Sequence, residues 1–264
     1  MPRILTIILL FINISVFPQS YRNITNTAFV CGEKLTFRVA YHSSLTGSIP
    51  AGRATLEVKD ENKIFNNRNT YHVVAEGKTS GIIEVFYKLV DRYESYFDQE
   101  AFIPWQYSRY TRENTYKKDD LVTFRHADKL AVTLNKILKV PANIQDPVSA
   151  FYFARTLDVS QLEIGGIIDI PFYLDDSVYR IPIIFKGRET VKTKLGKINC
   201  LVFMPGVVKG YAFSNPYPLT LWVSDDANRL PVLIESELSV GSARVELISY
   251  SGLANPFTAI IQNE

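Results

Sequence analysis

His42, His72 and His126 are all the imidazoles that the 264-residue chain offers for acid–base or metal chemistry. None stands at ligand spacing from another or from a cysteine, which argues against a zinc site. His72 alternates with apolar neighbours, as a strand residue does. Paired carboxylates come next: Asp119-Asp120, Asp175-Asp176 and Asp225-Asp226. Two carboxyls held apart across a cleft would suit glycoside hydrolysis. Each pair falls in a stretch that reads as a turn, where Asp bonds its own backbone. A serine nucleophile needs a base within hydrogen-bond reach, and no Gly-x-Ser-x-Gly elbow occurs. Gly165-Gly166 lacks the Lys-Ser/Thr and helix start of a phosphate loop. No catalytic, metal or cofactor residue is assigned, and the balance leans against an enzyme.

Cys31 and Cys200 are the two thiols. In an oxidising compartment an isolated pair is a disulfide candidate; the competing reading is two buried free thiols acting as small hydrophobes. Two further clusters invite a ligand. Trp105, Tyr107 and Arg109 share one strand face, with Tyr110 and Arg112 on the other and Tyr116 beyond. Aromatics beside arginines could stack on sugars or hold lipid headgroups, but cross-strand packing explains them more simply. The second cluster is Phe151, Tyr152 and Arg155 on one helix. It could plug a curled sheet or line a ligand groove, with Arg155 pairing a strand carboxylate such as Asp91 or Glu94.

These residues sit on elements that the hydrophobic pattern predicts. Leu35, Phe37, Val39 and Tyr41 alternate with Lys34, Thr36 and Arg38, the period of a half-buried strand. Similar alternation recurs through Ala54–Val58, Tyr71–Ala75, Leu89–Phe97, Trp105–Arg112, Leu121–His126 and Leu130–Leu134. In the second half, Ile167–Leu174 with Val178–Phe185, Glu189–Leu195 with Ile198–Met204, and Leu219–Ser224 with Arg229–Leu238 read as hairpins, and Ser242–Tyr250 closes the set. Ser80–Tyr87 has room for one helical turn. Asp146 as N-cap and Pro147 at the first position open one true helix over 146–157. With 15 Tyr and 16 Phe against 2 Met, the composition also favours pleated surfaces. The expected fold is mainly β: one large antiparallel curled sheet or spiral β-barrel of about 12–14 strands around a central helix.

Arg3 followed by an apolar run from Ile4 to Phe17 and by Pro18-Gln19-Ser20 has the layout of a signal peptide. About 14 residues are too few to cross a bilayer, which takes roughly 20. Residues 1–20 are therefore expected to be removed. That leaves one β domain over 21–254, a loose tail over 255–264 and no transmembrane segment in the mature chain. With a net charge of +2 and no basic tract longer than Lys117-Lys118, a nucleic-acid partner is not expected.

A set of short motifs in fixed order adds to this. They are Gly32-Glu33-Lys34-Leu35, Ala51-Gly52-Arg53-Ala54, Asp91 to Asp98, Ile103-Pro104, Gln145 to Tyr152, Gly187-Arg188-Glu189, Leu195 to Cys200, and Leu221 to Asp226 with Leu230-Pro231. Together they resemble the bacterial domain-of-unknown-function family 3108, over roughly residues 30–250. The resemblance implies an exported, periplasmic envelope protein with a curled β-sheet, similar to spiral periplasmic barrels and more loosely to lipoprotein carriers. It transfers no catalytic residue. The expectation is a non-enzymatic protein, soluble in the periplasm or secreted, that binds a lipid, a glycan or an envelope protein. An envelope glycan or lipid hydrolase and a purely structural scaffold are the alternatives. Any ligand is expected on the concave face, against largely apolar side chains.

Overall fold

The computed structural model describes residues 21–45, 47–61, 63–206, 217–238 and 240–261. The expected signal peptide, 1–20, lies outside the described residues. The first half of the chain holds β1 (Lys34–Ser43), β2 (Gly47–Lys59), β3 (Ile64–Phe65), β4 (Arg68–Thr79), α1 (Ile82–Phe86), β5 (Leu89–Asp98), β6 (Pro104–Glu113), β7 (Tyr116–Arg125), β8 (Leu130–Val132) and β9 (Ile137–Lys139). The helix α2 (Pro147–Arg155) follows. Then come β10 (Ile167–Leu174), β11 (Ser177–Thr193), β12 (Gly196–Pro205), β13 (Leu219–Ser224), β14 (Pro231–Glu237), β15 (Ser242–Ser251) and β16 (Ile260–Ile261).

Fourteen strands form one antiparallel path, β10-β11-β12-β13-β14-β15-β1-β2-β4-β5-β6-β7-β8-β9, with β3 beside β4 and β16 beside β12. The order follows from tight turns: each half is a meander, and β1 pairing with β15 welds them. The sheet stays open between β9 and β10, and α2 with its flanking loops crosses that gap. Gln145 makes a parallel bridge to Phe172; its N–H donates to Pro171 O at 3.0 Å and its carbonyl accepts from Tyr173 N at 2.7 Å. Side chains finish the junction. Asp175, in the β10–β11 turn, pairs with Arg109 of β6 and Lys118 of β7. The curled sheet and the single substantial helix are as the alternation predicts.

Three details differ from expectation. The strands read separately on either side of residues 186–188 are one strand, β11. Gly187, at φ 113°, absorbs the register shift that bends it. The tail expected to be loose from 255 is tied down over 255–261. Asn255 N donates to Asn228 Oδ1 at 3.0 Å, Ala259 is buried, and β16 pairs with β12. The third concerns Cys31 and Cys200, which are free thiols, so the expected disulfide is not formed. Cys31 packs at the edge of the cluster around Phe29 and Tyr152, while Cys200 sits among Val191, Ile198, Val232, Leu233 and Ala259. They occupy different cores.

Candidate functional site

The site is built around α2, which lies on the inner face of the curl. Its N-terminus is held by a complete capping box. Asp146 Oδ1 accepts from Val148 N and Ser149 N, both at 2.8 Å, and Ser149 Oγ accepts from Asp146 N at 2.9 Å. The other oxygen of Asp146 accepts from Ser95 Oγ of β5 at 2.5 Å, which fastens the cap to the sheet. Burial raises this carboxyl to about 6 despite those donors. Tyr152 is fully buried against Phe29, with ring centroids 4.6 Å apart, and against Phe97 at 5.9 Å.

Arg155 is buried and ion-paired, but not with Asp91 or Glu94. Its Nη1 and Nη2 grip Glu33 Oε1 and Oε2 at 2.6 and 2.8 Å. Nη2 and Nε also donate to Asn228 O, at 2.9 and 3.2 Å. Asp91 and Glu94 lie on β5, well along from the C-terminal end of α2. Glu33 stands in the turn that enters β1, opposite the helix end. Arg155 therefore joins the helix, the N-terminal segment and the β13–β14 loop in one closed network.

The helix does not fill the curl. On one side a groove of about 320 Å³ runs between Ala150, Phe151 and Ala154 of α2 and the inner faces of β10–β13. Ile168, Ile170, Ile181, Ile183, Leu201 and Phe203 form much of its wall. They face it because each is two residues from the next along its strand, and the register sets Ile168 opposite Ile183 and Ile170 opposite Ile181. Its charged members, Arg155 and Arg229, are paired with Glu33 and Asp225. On the other side of the helix lies a hollow of about 440 Å³ over β1, β2, β4 and β5, lined by Phe37, Leu56, Leu89 and Tyr93 and by the small residues Ala54, Ala75 and Gly77. Pro147 and Phe151 border both spaces.

Three polar residues border the hollow, Thr55 on β2, Glu76 on β4 and Asp91 on β5. Asp91 is buried there and accepts from Arg112 N at 3.2 Å. Burial raises its carboxyl, and Glu113 beside it raises it further. Glu113 in turn accepts from Tyr87 Oη at 2.6 Å, and burial with that contact pushes the phenol to about 12. Asp91 and Tyr87 thus hold their protons more tightly than the free groups would.

The other residues singled out from sequence land elsewhere. His72 stacks on Tyr96 at 4.2 Å and meets Glu94 at 3.2 Å. His126 is buried against Pro104 O at 2.6 Å. Asp175 and Asp176 adopt positive φ in a hairpin turn, and Asp225 and Asp226 brace the β13–β14 turn. Trp105, Tyr107 and Arg109 point inward and are buried, while Tyr110 is exposed with Arg112 over its ring at 3.7 Å. Sequence reasoning singled out Phe151, which borders the groove, but not Ala150, Ala154 or the isoleucines of β10 and β11. The signal was present in the alternation Ile168, Ile170, Phe172 and Ile181, Ile183, Phe185.

The family described as "Protein of unknown function (DUF3108)" matches residues 36–248. No curated protein matches the chain. Among solved structures, a β-barrel-like protein of domain of unknown function DUF1849 from Brucella abortus superposes with a TM-score of 0.57. The two are 8% identical, over 86% of this chain and 99% of that one. A protein with a YmcC-like fold from Bacteroides fragilis, described as a candidate exported protein, gives a TM-score of 0.36 at 12% identity, covering 87% of this chain and 99% of that one. A candidate lipoprotein from Parabacteroides distasonis gives 0.34 at 10%, covering 88% and 100%. The Brucella protein shares the fold. Among the described residues, no helix is long and apolar enough to cross a membrane.

Proposed function

The chain belongs to the DUF3108 family, and we propose that it is an exported, non-enzymatic envelope protein whose concave face binds an acyl chain or a similarly apolar ligand. In this reading residues 1–20 are removed on export, and residues 21–261 act as one β domain in the periplasm. The observation that carries it is the groove between α2 and β10–β13. It is walled by aliphatic and aromatic side chains, and its charged residues are neutralised within the wall. Volumes of this size, apolar and bounded by a few fixed polar groups, are typical of small-molecule sites. Each methylene transferred from water into such a groove contributes about 0.8 kcal/mol, so a short stretch of chain is enough for measurable affinity. A hydrolase of lipid or glycan would need titratable groups converging on the ligand. Asp91 and Glu76 border the hollow, across Phe151 from the groove, and Glu76 is ion-paired with Arg92.

The test is saturable binding of a radiolabelled long-chain fatty acid, compared in wild type, Ala154→Trp and Phe151→Arg. Ala154→Trp fills the groove with an indole while leaving the buried face of the helix untouched. Binding should fall at least ten-fold in both variants, with unfolding midpoints showing that the fold survives. Wild-type protein that binds no fatty acid, or Ala154→Trp binding as well as wild type, would overturn the reading.

A further inference from the structure

One rim of the curled sheet carries exposed apolar side chains on three neighbouring turns. The turns β14–β15, β1–β2 and β4–β5 lie side by side because their strands do, in the order β14-β15-β1-β2-β4-β5. Val240 projects from the first at 73% exposure and Leu45 from the second at 95%. The third is α1, whose Ile82, Val85 and Phe86 are 60, 80 and 76% exposed; none of the helix is buried. The turns are fastened to one another. Tyr41 Oη donates to Val240 O at 3.0 Å, and Ser80 N donates to Ala51 O at 2.9 Å. A five-residue helix that buries nothing contributes little to the core, and its apolar residues destabilise nothing only if something else covers them.

The outward surface beneath α1 carries a row of cations beside two acids, Glu84 on the helix itself and Glu76, which is paired with Arg92. The register sets Arg38 opposite Arg53 and Arg53 opposite Lys78, a row of like charges across three adjacent strands. Like charges directly opposite one another destabilise a sheet. Arg38 is relieved by Glu246 at 2.9 Å, whereas Arg53 and Lys78 meet no carboxylate among the described residues. Lys88 is exposed just past the helix. Separate apolar tips above unpaired cations suit a fluid anionic surface better than a shaped partner. Tips enter the acyl region singly, and Arg and Lys then reach phosphate oxygens.

We propose that this rim docks the protein on an anionic lipid bilayer, with Leu45, Val85, Phe86 and Val240 inserted and Arg53, Lys78 and Lys88 at the phosphates. The docking needs no ligand in the groove, so its test is independent of the acyl-chain reading. The protein is purified in the form that cells release. Phe86→Trp and, on the opposite rim, Ile64→Trp are mixed with vesicles of phosphatidylglycerol and phosphatidylcholine carrying brominated acyl chains. Trp at 86 should be quenched and blue-shifted, and Trp at 64 unchanged against the background of Trp105 and Trp222. Vesicle partitioning should drop on the order of ten-fold or more in Val85→Asp with Phe86→Asp, from the apolar area lost. Arg53→Glu with Lys78→Glu should abolish the preference for phosphatidylglycerol over pure phosphatidylcholine and its sensitivity to salt. Equal quenching at 64 and 86, or none at 86, would overturn the proposal. So would self-association, without vesicle binding, that Phe86→Asp removes, since the rim would then be an interface between copies of the chain.

Discussion

Removing the guanidinium of Arg155 tests whether the helix is locked into the sheet by one ion pair. Arg155 and Glu33 are both almost wholly shielded from water, and their contact is bidentate at 2.6 and 2.8 Å. Arg155→Met keeps the aliphatic stem against Phe29 and Tyr152 but leaves the Glu33 carboxylate buried without its donor. It also strips Asn228 O of two N–H donors. Breaking a buried pair by deleting one partner costs about 3–5 kcal/mol. We therefore expect a loss of about 4 kcal/mol, roughly a thousand-fold in the folded-to-unfolded ratio. Glu33→Leu alone should cost a similar amount, because it buries an unpaired cation. The double variant Glu33→Leu/Arg155→Met removes both charges together and should cost far less than the sum, about 1–3 kcal/mol for the carbonyls of Asn228 and Ala28 that lose their donors. Urea unfolding followed by tryptophan fluorescence, with an unchanged slope on denaturant, measures all three. If either single variant costs under about 1 kcal/mol, or if the costs simply add, the lock is not where the geometry puts it.

Two further outcomes follow from the buried titratable groups. Asp146 has its folded carboxyl raised to about 6 from an ordinary 3.8. Its contribution is therefore fully present below pH 3.8 and lost as pH rises through about 6, since the unfolded chain gives up the proton first. Asp146→Asn keeps the cap acceptor and cannot titrate. Wild-type stability relative to this variant should fall by up to about 3 kcal/mol between pH 4 and 7, and parallel curves in urea titrations would contradict the assignment. Cys200 is buried and its thiol is pushed up to about 12, whereas Cys31 is half-buried and raised by burial and by Asp60. A disulfide-exchange reagent should label Cys31 slowly in the native protein and Cys200 only after unfolding; an unfolded, unreduced chain with no titratable thiol would show that the two cysteines are bonded after all.

The sequence carried whatever is local. Alternation of Leu35, Phe37 and Val39 sets a strand whatever surrounds it, and Asp146-Pro147 with Ser149 starts a helix by its own backbone chemistry. That Trp105, Tyr107 and Arg109 share one face was legible for the same reason, though not that the face is the buried one. What depends on distant chain was not. The partner of Arg155 is set by where the turn before β1 meets the helix end, 122 positions away in sequence. Glu33 carries no mark that separates it from Asp91 or Glu94. The continuity of β11 through Gly187 was hidden because a bulge at a glycine reads like a turn. The groove was legible as an idea, a helix too short to fill a curl, but not by residue.

The unfilled space is itself encoded. At the inward positions over the hollow the chain places Ala54, Ala75 and Gly77, and on the helix face toward the groove Ala150 and Ala154. Leucine or phenylalanine there would close the interior, as Phe29, Phe97, Phe102 and Tyr152 do on the buried side of the same helix. The groove is partly open to water, so the contact energy it forgoes is bounded above by about 8 kcal/mol, the cost of 320 Å³ of sealed cavity at about 24 cal/mol per Å³. A whole domain is stable by only about 5–15 kcal/mol. A fold under selection for stability alone would not leave that contact energy unused along a strip of alanines, when single methyl additions recover part of it. An apolar occupant recovers it instead. Binding to the folded state alone raises stability with the logarithm of its concentration over its dissociation constant, about 2.7 kcal/mol at a hundred-fold excess. On the proposed acyl-chain reading, the small side chains are the shape of that ligand, and Ala154→Trp should raise stability while it abolishes binding.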